Sequence, residues 1–239
     1  MLIAAMGILS MMKWLLGSVD GATFVAILLF PLIVYAVVSG RVAEFTGPGG
    51  WGAKFRSAVT SEVESSGISE NTEALQQVRK GGLYELSLAV EQLNPNLPIA
   101  LTLRVGRSGF YQPDAIIQHL KTLMAVGPST YVVFVANDTG QFVGSANASQ
   151  VVAILEDESA GGEFMSELEL GGASAFEDVG FLVRDSLKPE DSNNQALQKF
   201  LDTNAQALVV VSDDGQKPIG IVDKSRLMTK LMFKLAGDE

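Results

Sequence analysis

Ala207-Leu208-Val209-Val210-Val211-Ser212-Asp213-Asp214-Gly215-Gln216-Lys217-Pro218-Ile219-Gly220-Ile221-Val222-Asp223-Lys224-Ser225-Arg226-Leu227 reads as a small structural unit by itself. Ala207–Val211 is an unbroken apolar run, rich in β-branched valine, which suits a buried strand. Asp213-Asp214-Gly215 makes a turn, and Pro218–Val222 is the strand that returns from it. A last helix starts near Ser225. Upstream, Ser192 is a good N-cap for a helix carrying Ala196, Leu197, Phe200 and Leu201 at helical spacing. Phe181-Leu182-Val183 reads as a strand ahead of that helix. The order is strand, helix, strand, strand, helix.

The same order occurs earlier in the chain. Ile99–Val105 reads as a strand, and Pro113 opens a helix at the position where proline costs nothing. The apolar face of that helix is Ile116, Ile117, Leu120, Leu123 and Met124. Tyr131–Ala136 is a β-rich run, Asn137-Asp138-Thr139-Gly140 a turn, Gln141–Ala146 the hairpin partner, and Ser149–Leu155 a helix. A shift of 76 residues lays Val133 on Val209, Val135 on Val211, Asp138 on Asp214, Gly144 on Gly220 and Ser149 on Ser225 without a gap. These identities fall at strand and turn positions, where a shared backbone demands them. The soluble body is therefore expected to be a mixed α/β (α+β) fold built from two tandem β-α-β-β-α repeats.

The 207–227 stretch resembles the second half of a cystathionine-beta-synthase (CBS) repeat, with its apolar strand, acidic-glycine turn, Gly220-Ile221-Val222 and helix start. Residues 131–155 resemble it more weakly, and the resemblance covers roughly 99–235. It implies two repeats packed through their sheets, with two clefts between them that often hold adenosine-containing ligands. It also implies modules that commonly pair as dimers, so a homo-oligomer is expected. In nucleotide-binding members a Thr or Ser lies three residues after the hairpin glycine, and a ribose-binding Asp lies six after it. Here those places hold Asn147 and Gln150 after Gly144, and Asp223 and Arg226 after Gly220. Neither repeat has the ribose carboxylate. Gln150 offers a neutral partner to one hydroxyl. Arg226 accepts no hydrogen bond but suits a phosphate or a carboxylate, with Lys224 beside it. Asn147, Ser149, Gln150, Asp223, Lys224, Ser225 and Arg226 are thus the candidate ligand-binding residues, with an adenine nucleotide as the candidate ligand and no resident cofactor expected.

Composition narrows the function classes. There are no cysteines, which removes disulfides, thiolate metal sites and a thiol nucleophile together. With His119 as the single histidine, a multi-histidine metal centre or a Ser-His-Asp triad lacks material. No nucleophile–base set stands out, so the chain is not expected to be an enzyme, nor to hold a metal. Residues 1–56 sum to +2, which leaves −12 on the remainder out of a net −10. A body this acidic repels a nucleic-acid backbone. Glu156–Asp191 alone carries eleven acids against Arg184 and Lys188. Their scattered spacing fits no hard-cation loop and reads as a solvated linker.

Gly21–Gly40 is a run of 20 residues without a charge, between Asp20 and Arg41. As a helix it spans the ~30 Å of a hydrocarbon core, with Pro31 as a kink. Met1–Leu16 is apolar apart from Lys13. It either forms a first short span anchored by Lys13 and Trp14 or lies along the surface, so the anchor is one helix or a helical hairpin. Arg41, Lys54 and Arg56 place the following body on the cytoplasmic face of an inner (plasma) membrane. The glycine-rich elbow around Trp51 fails the spacing of a phosphate loop, because Ala53 separates Gly52 from Lys54. Trp51 is instead read as an interfacial anchor, with membrane lipid as the partner.

The resulting organisation is an anchor over 1–40, an elbow and helical linker over 41–98, a first repeat over 99–158, an acidic linker over 159–178 and a second repeat over 179–235. Residues 57–95 read as helical, broken at Gly67 and Gly81-Gly82. Two functions are expected from this plan: a membrane-tethered regulatory module that binds a small ligand or a protein partner, or a scaffold that oligomerises without a ligand.

Overall fold

In the computed structural model, residues 60–67 and 93–236 are described, except 128, 172–175, 177–178 and 215. The anchor residues Lys13, Trp14, Pro31, Arg41 and Trp51 lie outside the described residues. Among the described residues no helix is long and apolar enough to cross a membrane. The chain divides into two compact units, Val59–Thr229 and Met1–Ala58 with Lys230–Glu239. Of the second, the described part is Lys230–Ala236, the end of the last helix.

The first unit holds two small sheets. Strand β1 is Ser66–Gly67, β2 Ile99–Val105, β3 Thr130–Ala136, β4 Phe142–Asn147, β5 Ser186–Leu187, β6 Ala207–Val211 and β7 Pro218–Asp223. One sheet has the order β2-β3-β4 and the other β1-β7-β6-β5. Helix α1 is Pro113–Val126, α2 Ala148–Leu155, α3 Glu158–Leu170, α4 Asn193–Thr203 and α5 Lys224–Ala236. Each repeat pairs its first strand in parallel with its second, and the second antiparallel with the third.

The duplication read at a shift of 76 is obeyed residue by residue in the hairpins. Tyr131 faces Asn147 as Ala207 faces Asp223, and Phe134 faces Gly144 as Val210 faces Gly220. Both hairpins slip register at the same place, between Phe134 and Val135 and between Val210 and Val211. The tips are tied by the Phe142 N–H donating to the Gln216 carbonyl at 2.9 Å.

Strand periodicity sends alternate side chains to opposite faces. Tyr131, Val133 and Val135 of β3 pack with Ala207, Val209 and Val211 of β6, with Ala100 and Ile221 alongside, in a core between the sheets. The intervening Val132, Phe134 and Ala136 join Ile116, Leu120 and Leu123 of α1 and Val151, Val152 and Leu155 of α2. In the second repeat, Ser192 caps α4 with a full capping box: its side chain accepts from the Gln195 N–H, and the Gln195 side chain accepts from the Ser192 N–H at 2.7 Å. Ala196, Leu197 and Phe200 are the buried face of that helix.

Three expectations need correction. The acidic linker over 159–178 is largely helix α3. The Asp157 side chain accepts from the Ser159 and Ala160 N–H groups at 3.0 and 2.9 Å and starts it. Phe164, Met165 and Leu168 bury one face in the first repeat's core, and the glutamates occupy the other. Gly161 lets α3 approach α2, since a Cβ there would lie 3.0 Å from the Ile154 carbonyl and 3.1 Å from that of Leu155. Second, Phe181-Leu182-Val183 is not the opening strand of the second repeat. That strand is Ser186–Leu187, too short to register as an apolar run. Phe181 stacks on Phe164 with centroids 6.5 Å apart, so its apolarity belongs to the first repeat. Third, the segment before the first repeat is not helical throughout, because Ser66–Gly67 is a strand on β7.

The second and third corrections are one device used twice. Ser66 pairs with Ile221 of the second repeat, and Val183 pairs with Ser145 of the first. Ile221 and Ser145 are themselves equivalent at the shift of 76. The segment leading into each repeat therefore pairs with the hairpin of the other.

Tyr131 adds a polar tie between the sheets. Its hydroxyl donates to Asp223 Oδ2 at 2.5 Å, and both residues are buried. Burial first, and the Asp223 carboxylate second, hold this hydroxyl protonated well above its ordinary range. The unfolded chain releases the same proton near pH ~10. The stability that Tyr131 contributes is thus complete below about pH 10 and is lost as pH rises beyond it. Tyr131→Phe is expected to cost about 1–3 kcal/mol at neutral pH, because Asp223 loses a buried donor. It should also flatten the alkaline fall in urea midpoint. A midpoint unchanged at neutral pH would show that the bond contributes nothing.

Gly144 supplies a second test. A Cβ there would lie 2.4 Å from Leu182 Cδ2 and 2.8 Å from its Cγ, whereas one at Gly162 meets nothing within 4 Å. Gly144→Ala should destabilise by about 1–3 kcal/mol through overpacking. Gly162→Ala, inside α3, should stabilise by about 0.5–1 kcal/mol. Urea melts of the two variants that move in the same direction would contradict this packing.

Candidate functional site

Between the repeats lies an open cleft of about 810 Å³. Small-molecule sites occupy about 300–1,000 Å³, so a nucleotide-sized ligand fits. One wall belongs to the first repeat: Ser145, Ala146 and Asn147 at the end of β4, then Ser149 and Gln150 in the first turn of α2. The other is built by residues 180–185, which lead into the second repeat, and by 202–207, which join α4 to β6. Tyr131 borders the floor beside Ala207.

Local rules set the shape of each wall. Asn147 leaves β4 in extended conformation, and its Oδ1 accepts from the Ser149 N–H at 2.9 Å and from Ser149 Oγ at 2.7 Å. This caps α2 and turns Ser149 and Gln150 outward, where both are exposed. Opposite, the Val183 and Ser145 backbones exchange two hydrogen bonds of 2.8 Å, which fixes the rim. Asn204 ends α4 in the left-handed region at φ 52°, which asparagine tolerates better than most residues.

The cleft is electrostatically mixed. The positive end of α2 and the negative end of α4 both border it, and Arg184 is accompanied by Asp185 and Asp202. Asn147, Ser149, Gln150, Asn204 and Gln206 supply neutral donors and acceptors. Such a lining can hold a polar molecule by hydrogen bonds. Among the described residues no group of three or more His, Asp or Glu is placed to hold a metal.

The candidate residues thus divide in two. Asn147, Ser149 and Gln150 come together on one wall of the cleft. Asp223, Lys224, Ser225 and Arg226 do not line it. The carboxylate of Asp223 is engaged on both oxygens, Oδ2 by Tyr131 and Oδ1 by the Arg226 N–H at 3.0 Å, so it caps α5 as Asn147 caps α2. Ser225 and Arg226 are exposed on the first turn of α5. Sequence reasoning did not single out residues 180–185 and 202–207. They lie outside the hairpin and helix start from which the candidates were counted, and no local motif marks them.

No curated protein matches this chain. Several solved structures resemble it. The soluble part of a magnesium transporter is 15% identical, with a TM-score of 0.36 over 54% of this chain, and this chain spans only 43% of that one. CBSX2 in complex with AMP is 15% identical, with a TM-score of 0.35 over 54% of this chain and 84% of its own. The CBS domain pair of MJ0100, in complex with 5′-methylthioadenosine and S-adenosyl-L-methionine, is 16% identical, with a TM-score of 0.36 over 63% and 97%. The family model described as CBS domain matches residues 184–232, a span that takes in β5, α4, β6, β7 and most of α5. It is thus the second repeat of this chain that resembles a CBS domain.

Proposed function

We propose that this protein is a membrane-tethered regulatory module in which the cleft between the repeats takes a small adenosine-type ligand. The observation that carries this reading is the convergence of Asn147, Ser149 and Gln150 on one wall of an open 810 Å³ cleft. The resemblance to CBS repeats assigns ligand contacts to two of those positions, Asn147 and Gln150. Ligand bound there touches both repeats, so its occupancy biases how they pack and any output follows from that bias. Dimerisation of paired modules belongs to the same reading. The tether rests on the uncharged run Gly21–Gly40 and the basic residues that follow it.

The scaffold reading is favoured by one observation, the missing ribose carboxylate, with Gln150 and Arg226 in its two places. A thermal-shift series on the intact chain in mild detergent, with AMP, ATP and S-adenosylmethionine, separates the two readings. A ligand at a hundred times its dissociation constant should stabilise by ~2.7 kcal/mol. Gln150→Ala should weaken binding about 5–10-fold, the loss of one hydrogen bond worth ~1 kcal/mol. A melting temperature unmoved by all three compounds would favour the scaffold.

The tether has its own test. The expressed chain should sediment with membranes and resist alkaline carbonate, and deleting residues 1–40 should release it. Release of the intact chain by carbonate would refute a spanning anchor.

A further inference from the structure

The duplication provides a second cleft in principle, related to the first by the shift of 76. Asp223 in it stands where Asn147 stands in the open cleft, and Tyr131 stands where Ala207 stands. The two halves differ most at this last pair. On the open side the place is taken by the methyl group of Ala207. On the other it is taken by an aromatic ring, which crosses from β3 to the end of β7 and donates its hydroxyl to Asp223 Oδ2 at 2.5 Å. Tyr131 is 5% exposed and Asp223 also 5%. The other oxygen of Asp223 caps α5, so both oxygens of the carboxylate are already engaged within the chain. A ligand entering there has to displace a buried ring and break a charge-assisted hydrogen bond, which costs more than an ordinary contact returns.

We infer that Tyr131 seals the second cleft through its hydrogen bond to Asp223, leaving one ligand site per chain, at Asn147, Ser149 and Gln150. This inference rests on the ligand reading above and adds stoichiometry and position to it. Lys224 and Arg226 are then outside the site.

Equal substitutions at two exposed, equivalent serines test it. Ser149→Trp fills the mouth of the open cleft, and Ser225→Trp does the same at the counterpart position on α5. Isothermal titration of the intact chain in detergent uses AMP, ATP and S-adenosylmethionine as separate probes, with circular-dichroism melts to confirm that both variants fold. The binding probe should saturate at one molecule per chain. Ser149→Trp should weaken it by about tenfold or more, and Ser225→Trp should leave affinity and stoichiometry unchanged. Two molecules per chain, or a comparable loss in Ser225→Trp, would overturn the single-site inference while the ligand reading stands. Absence of binding by all three probes would overturn the ligand reading and the inference with it.

Discussion

Tyr131, Val133 and Val135 of β3 lie against Ala207, Val209 and Val211 of β6, and the arrangement of the whole body follows from that contact. Each half has one sheet face covered by its helices. The other face of β3 and of β6 is equally apolar and has to be covered by something. Burying a valine contributes about 1.5–3 kcal/mol, so exposing either face would undo the folding of its repeat. The two halves satisfy each other because they present the same strand, in the same register, with the same bulge. The open cleft is a by-product of that pairing, lying where the sheets and their leading segments do not fill the space between repeats.

Much of this was readable in the chain because strand alternation and turn chemistry are local. The apolar run at Ala207–Val211, the turn after it and the shift of 76 placed β3, β4, β6 and β7 within a residue or two of their positions. Pro113 and Ser192 marked the starts of α1 and α4 for equally local reasons. The errors arose where an apolar pattern served a distant partner. Phe181 and Leu182 read as a strand because they are apolar, yet they pack on Phe164 and over Gly144 of the other repeat. Helix α3 was masked by its many acids, although Phe164, Met165 and Leu168 already spelled its buried face. Ser66–Gly67 is too short for any periodicity to detect.

The candidate site was half legible for a related reason. Its first wall is contiguous in sequence, from the end of β4 through the cap of α2, so counting from Gly144 found it. Its second wall comes from two separate segments, 180–185 and 202–207, that no local motif joins. At Asp223 the count from Gly220 succeeded in position but not in role, because the tie to Tyr131 joins residues 92 apart in the chain. Duplication gives two copies of a backbone without giving two copies of its uses, and a single large side chain is enough to divide them.

The exchange of leading segments has a consequence for synthesis on the ribosome. When the first repeat has emerged, the outer edge of β4 still waits for Val183, and Ser66–Gly67 has no β7 to join. The nascent half is therefore an open-edged sheet with an uncovered valine face, the kind of surface that pairs with the wrong neighbour. The β4 edge can close once Val183 has emerged, but Ser66–Gly67 and the valine faces wait until β6 and β7 leave the tunnel. The first half is thus completed only by segments of the second.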